Sequence, residues 1–146
     1  MIRQLVGPDV KVEVTLDDGL PPLFFDRMQF DLMILNVAAN ADHAMPDGGG
    51  FSLRARRDGA RLVLDMADTG AGMEDDVLAH AFEPFFTTKP RGQGSGLGLS
   101  VVRDLVQRAG GSVSAESRAG SGTTISMRFA DDLAEASDRM VMGSPV

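Results

Sequence analysis

The order of elements along the chain predicts an α/β domain in which a mixed sheet carries helices on one face. Two observations carry this reading. Two pairs of consecutive strand-like runs are each joined by a tight turn, the signature of hairpins, while helical patterns intervene elsewhere.

The first run, KVEVTL at 11–16, alternates polar and apolar residues as a half-buried strand does, and DDGLPP breaks it. A helical stretch follows from Asp26 to Met45, apolar on most sides through Phe30, Leu32, Met33, Ile34, Leu35 and Val37. It is expected to be largely buried. PDGGG at 46–50 ends it, and FSLRARR and RLVLDMAD follow as strands joined through Asp58 and Gly59. A short helix is predicted from Glu74 to His80, with three acids where the helix dipole favours them and His80 at its C-terminal end. Residues 82–98 lack periodicity. A further helix runs from Gly98 to Ala109, where Gly110 and Gly111 stop it. The last strands, SVSAES and TTISMRF, are joined by RAGSG, and DDLAEASDRMVMGSPV is expected to be a poorly ordered polar tail.

A chain of 146 residues with 43% hydrophobic residues suits one domain with a substantial core. The 21 acidic against 14 basic residues give a net charge of −7, which argues against a surface that condenses on nucleic acid or anionic membrane. With no Cys, disulfides, zinc-thiolate sites and a cysteine nucleophile are excluded. No apolar run approaches the roughly 18 residues of a membrane span, and a cytoplasmic domain is expected, free-standing or as part of a membrane-anchored chain.

Five short stretches carry candidate chemistry. Asn36, Asn40 and His43 share one stripe of the first helix. The asparagines either hydrogen-bond neighbouring backbone or face a ligand, and an amide oxygen suits Mg²⁺. Asp68 ends a strand and opens DTGAGM, where Gly70 and Gly72 let a flat group lie against the backbone. It reads as an Asx turn or as an acceptor for an exocyclic amine. FEPFFTTKPRGQ, with Lys89 and Arg91, is a solvated loop or a lid that neutralises phosphate. GQGSGLGLS places Gly94, Gly96 and Gly98 before a helix N-terminus, a combination suited to anions, although it fits neither a Walker loop nor a dinucleotide fingerprint. GSGTT at 120–124, taken alone, is a hairpin.

The patterns N-x-x-x-N, D-x-G-x-G, F-x-P-F-F, G-x-G-x-G and G-x-G-T each occur once, in that order, within about 90 residues. In that arrangement the chain resembles the ATP-binding catalytic domain of bacterial two-component sensor histidine kinases, in the GHKL superfamily shared with DNA gyrase and MutL-type ATPases. NVAANADHAM looks like the N box, DTGAGM, GQGSGLGLS and GSGTT like three G boxes, and FEPFFTTK like the F box. The resemblance implies the Bergerat fold, a two-layer α/β sandwich whose mixed, mostly antiparallel sheet packs against three helices.

The resemblance also implies the ligands ATP and Mg²⁺. Asp68 would bind the adenine amine with Thr123 and a water in support, Asn40 would hold Mg²⁺ with Asn36 beside it, and His43 would lie near the phosphates. Lys89 would reach them from a lid that Gly94, Gly96 and Gly98 end, and Met73 and Leu97 would supply apolar walls. Gyrase-like ATPases and related serine kinases are expected to carry an acidic base at position 36, and Asn36 cannot accept a proton. The site therefore suits transfer to a nucleophile brought from elsewhere; the resemblance implies that this is a histidine on a separate dimerisation domain, in a homodimeric kinase that passes the γ-phosphoryl group to a response regulator or receiver domain. Neither His43 nor His80 has an acceptor's context. Residues 1–10 are expected to be the exit from a missing dimerisation helix, 11–130 the ATP-binding domain and 131–146 a tail or linker. The alternative function is a nucleotide-responsive binding module without transfer; a gyrase-like clamp lacks its acid at position 36.

Overall fold

The computed structural model describes residues 6–21, 23–84, 98–130 and 140–141. Five strands form one sheet: β1 (Val10–Leu16), β3 (Gly49–Asp58), β4 (Arg61–Asp68), β5 (Ser112–Arg118) and β6 (Gly122–Ala130), in spatial order β1-β3-β4-β6-β5. Only β1 and β3 are parallel; the other neighbours are antiparallel, so the sheet is mixed and mostly antiparallel as predicted. The helices are α1 (Arg27–Ala44), α2 (Asp75–Leu78) and α3 (Gly98–Arg108).

Period-two alternation decides which face is covered. Leu53, Met66, Ile125 and Ala115 are successive cross-strand partners, and Ala55, Leu64, Met127 and Val113 form the next rung. These rungs meet Met33, Ile34 and Val37 of α1 and Val102, Leu105 and Val106 of α3 in one core. The opposite face is open and carries ion pairs. Arg56 Nε meets Asp65 at 2.7 Å, Ser126 Oγ donates to the same carboxylate at 2.7 Å, and Arg128 pairs with Asp58.

The helix limits follow local chemistry. Asp26 caps α1 by accepting from the Gln29 N–H at 3.1 Å. At the end of α3 the Gly111 N–H donates to Val106 O and the Gly110 N–H to Gln107 O, the paired closing bonds of a Schellman motif.

Three expectations are corrected. The first helix is not largely buried: Phe30, Met33, Ile34, Val37, Ala38 and Ala41 are buried, whereas Leu32 and Leu35 are 43% exposed and Met28 is 83% exposed. A helix lying on one sheet face and flanked by α3 covers only part of its circumference, whatever its composition. The second helix is one turn shorter than expected, and His80 lies beyond it, where its ring Nδ1 is 2.8 Å from Glu83 Oε2. Finally, Met140–Val141 (β7), within the expected tail, pairs antiparallel with Phe24–Phe25 (β2). Phe25 anchors this small sheet to the core, packed edge-on against Phe30 and Phe129. The rest of the tail and residues 1–5 lie outside the described residues.

Asp65 makes the open face sensitive to acid. Burial pushes its pKa up, but hydrogen bonds from Arg56 and Ser126 and the charges of Arg56 and Arg128 outweigh it and hold the carboxyl below its usual range. A depressed carboxylate contributes stability that is present above its unfolded pKa and lost as pH falls through the folded one. We expect Asp65→Asn to cost about 1–2 kcal/mol at pH 7, the range for charge-assisted bonds on a partly covered surface. Urea unfolding should show the gap to the parent closing as pH falls below the usual carboxylate range.

Candidate functional site

The rung beyond the two apolar ones changes character. Phe51, Asp68, Thr123 and Ser117 are cross-strand partners on β3, β4, β6 and β5, two residues along from Leu53, Met66, Ile125 and Ala115 and on the same covered face. Phe51 is buried, whereas Asp68, Thr123 and Ser117 are half-buried. The core therefore ends in a polar edge.

Asp68 is held at the start of the DTGAGM turn. Its Oδ1 accepts the Gly70 N–H at 2.9 Å, which is the Asx turn read from the sequence. Burial raises the carboxyl above its ordinary pKa, partly offset by the backbone N–H groups of Gly70 and Thr123. A half-buried carboxylate with no salt-bridge partner among the described residues can still accept a hydrogen bond from a ligand.

The turn itself is wedged between elements that leave no room for side chains. A Cβ on Gly70 would meet Ala44 O at 2.5 Å, and the next residue, Ala71, donates its N–H to that same oxygen at 3.0 Å. Gly72 has φ +68°, and a Cβ there would collide with the Arg118 carbonyl oxygen. Both the left-handed backbone and the close approach demand glycine. Met73 follows, half-buried, with its N–H donated to Ser117 Oγ at 2.8 Å.

On the helical side, α1 packs against α3 and brings two asparagines to the N-terminus of α3. Asn36 Nδ2 donates to Leu32 O at 2.8 Å, so its backbone-bonded reading is correct for the nitrogen. The oxygen points elsewhere: a Cβ on Gly98 would lie 3.6 Å from Asn36 Oδ1, 3.5 Å from Asn40 Nδ2 and 3.6 Å from Asn40 Oδ1. The two amides thus sit beside the first residue of an 11-residue helix, where the first-turn N–H groups and the dipole favour an anion. His43 continues the stripe one turn further and is exposed.

Among the expected site residues, the structure places Asn36, Asn40 and Gly98 together, and Asp68, Gly70, Gly72, Met73 and Thr123 together. The two groups are joined through α1, which ends at Ala44 against the turn. Lys89, Arg91, Gly94, Gly96 and Leu97 lie outside the described residues. Among the described residues no group of three or more His, Asp or Glu side chains could hold a metal ion.

Sequence reading missed Ser117. It bonds Met73 N, Gly122 O and Thr123 Oγ1, and so ties the DTGAGM turn to the β5–β6 hairpin. One signal was present. Alternation places Ser117 on the same face as Val113 and Ala115, so a polar residue there interrupts an apolar stripe.

Residues 25–133 match the family of histidine kinase-, DNA gyrase B-, and HSP90-like ATPases. The sensor kinase CckA of Brucella abortus is 40% identical over 139 residues, covering 85% of this chain and 15% of that protein. Among solved structures, the mycobacterial sensor histidine kinase MprB superposes with a TM-score of 0.74 at 29% identity, covering 88% of this chain and 86% of that one. Full-length ShkA in complex with AMPPNP gives 0.75 at 27% identity, covering 99% of this chain and 30% of that one. The chain spans 15% of CckA and 27% of the sensor histidine kinase ZraS of Escherichia coli, well under a third of either. With the fold, the motif order and the matched span in agreement, the chain belongs to the histidine kinase branch of the GHKL ATPase family.

Proposed function

We propose that this domain binds Mg-ATP between the Asp68 turn and the N-terminus of α3 and transfers the γ-phosphoryl group to a histidine on a separate dimerisation domain. The observation that carries this reading is the convergence of the Asn36 and Asn40 amides on Gly98, with no carboxylate among them. Such a site can position phosphates and spread their charge. It holds no group at position 36 able to take a proton from water.

Each residue has a task in this reading. Asp68 accepts the adenine amine, with Thr123 beside it, while Gly70, Gly72 and Met73 form the wall along which the base lies. The α3 N-terminus receives phosphate oxygens. Asn40 and Asn36 offer neutral amide oxygens, which fit Mg²⁺ because phosphate oxygens and waters would complete its shell. When bound, the ion would neutralise charge on the transferring group. His43, Lys89, Gly94 and Gly96 belong to the phosphate side, and Leu97 joins Met73 as an apolar wall. Because attack by water lacks a base, the nucleophile is brought by a partner domain in a homodimeric, cytoplasmic kinase that passes the phosphoryl group to a response regulator. No helix among the described residues is long and apolar enough to cross a membrane.

Two outcomes are expected. Incubated with radiolabelled Mg-ATP, the 146-residue chain should not label itself, but should label a histidine-bearing dimerisation domain added from its own full-length kinase. Self-labelling would contradict the reading, and binding without transfer would make the domain a nucleotide-responsive module. Asn40→Asp should weaken magnesium-dependent nucleotide binding by about tenfold or more, and unchanged affinity across a magnesium titration would contradict the assignment.

A further outcome concerns pH. A carboxyl with a raised pKa is held protonated more tightly in the folded state, so ionised Asp68 costs the free domain stability that returns as pH falls through that raised value. Only the ionised form accepts two donors well, so nucleotide affinity should fall with pH above the usual carboxylate range. Asp68→Asn should bind on the order of 10–100-fold more weakly and without this component. Subtracting the two calorimetric profiles removes the titration of the triphosphate, which is common to both.

A further inference from the structure

Ser117 Oγ makes three contacts and owns one proton. Met73 N, at 2.8 Å, can only donate to it, and Gly122 O, at 3.0 Å, can only accept from it. The third contact is Thr123 Oγ1 at 2.7 Å, where either oxygen could donate. Only one assignment makes all three contacts hydrogen bonds. Ser117 gives its proton to Gly122 O, and Thr123 gives its own to Ser117. Thr123 then has no proton left for the cleft, and its oxygen presents lone pairs alone.

Its neighbour on the rung has the same character. Asp68 lies opposite Thr123 and, when ionised, is also acceptor-only. Free to rotate, a threonine hydroxyl would adapt to a donor or an acceptor. Pinned by Ser117, it cannot.

We propose that Ser117 is a positioning residue for base selection, holding the Thr123 hydroxyl so that this end of the cleft accepts hydrogen bonds and donates none. The inference rests on the reading of Asp68 and Thr123 as the adenine subsite. An edge with an exocyclic amine, or a water donating to both groups, satisfies the pair; a carbonyl in the place of the amine faces only lone pairs. That mismatch leaves buried acceptors unpaired and is the kind of contrast that discriminates strongly. Ser117 touches no base itself. Its contribution is to remove the rotation by which Thr123 would accommodate the wrong one.

The test is calorimetric affinity, with the 146-residue chain, for Mg-ATP and for Mg-ITP, in which a carbonyl replaces the amine and the adjacent ring nitrogen gains a hydrogen. The parent should prefer ATP. Ser117→Ala frees the Thr123 proton and should narrow the ATP-to-ITP ratio about fivefold or more, with ITP affinity held or improved. Ser117→Thr restores a hydroxyl and should recover the parent ratio, which a merely structural loss would not do. Thr123→Val should narrow the ratio by itself, and Ser117→Ala added to it should produce no further change. Equal weakening of both nucleotides in Ser117→Ala, with the parent's preference intact, would overturn the inference and leave the nucleotide site standing, as would a full preference in Thr123→Val. A parent that binds neither nucleotide, or does not distinguish them, would overturn the subsite reading and the inference with it.

Discussion

Strand register is the constraint on which the cleft depends. Asp68, Thr123 and Ser117 face the same side only because β4, β6 and β5 are aligned with Asp68 opposite Thr123 and Thr123 opposite Ser117. A slip of one residue would turn Asp68 to the open face and bring Leu62, Leu64 and Met66 out with it. The apolar rungs therefore fix the polar one. Burying those side chains at about 25 cal/mol per Å² makes the alternative alignment far costlier than any contribution from the site's own hydrogen bonds.

Close backbone approach then converts a sheet edge into a pocket wall. The DTGAGM turn passes between the end of α1 and the β5–β6 hairpin, touching Ala44 on one side and Arg118 on the other. Gly122 does the same from the hairpin, with φ +95° and its backbone against Asp68 O. Side chains at these positions would separate the elements that carry Asp68 and Thr123. On the far side, α1 carries Asn36 and Asn40 to the N-terminus of α3, so one helix connects the two halves of the cleft. Neutral amides beside a helix dipole can hold anionic oxygen without supplying a base, which separates positioning for transfer from activation of water.

Much of this was legible in the sequence, and what was not has physical reasons. The strand-like runs KVEVTL and RLVLDMAD, the Asp58–Gly59 turn and the Gly110–Gly111 stop are local signals, and each coincides with an observed element within one or two residues. The asparagine pair and the Asp68 turn were readable because spacing on a helix and glycine spacing in a turn are geometric statements. The β2–β7 pair was not readable: two residues carry no periodicity, and their partners lie more than a hundred residues apart. Exposure of Leu32 and Leu35 was missed because composition cannot say how much of a helix its neighbours cover. Ser117 was missed because its role is set by three partners that only the fold assembles.

The central claim is that two separated groups of residues form one nucleotide site. Backbone and side-chain amide spectra of the nitrogen-15-labelled chain, recorded during titration with Mg-ATP, test it most directly. The account predicts saturable shifts, with one common dissociation constant, at Gly70, Gly72, Met73 and Thr123 together with Gly98 and the side-chain amides of Asn36 and Asn40. Shifts confined to one group, or fitted by unrelated constants for the two, would contradict it.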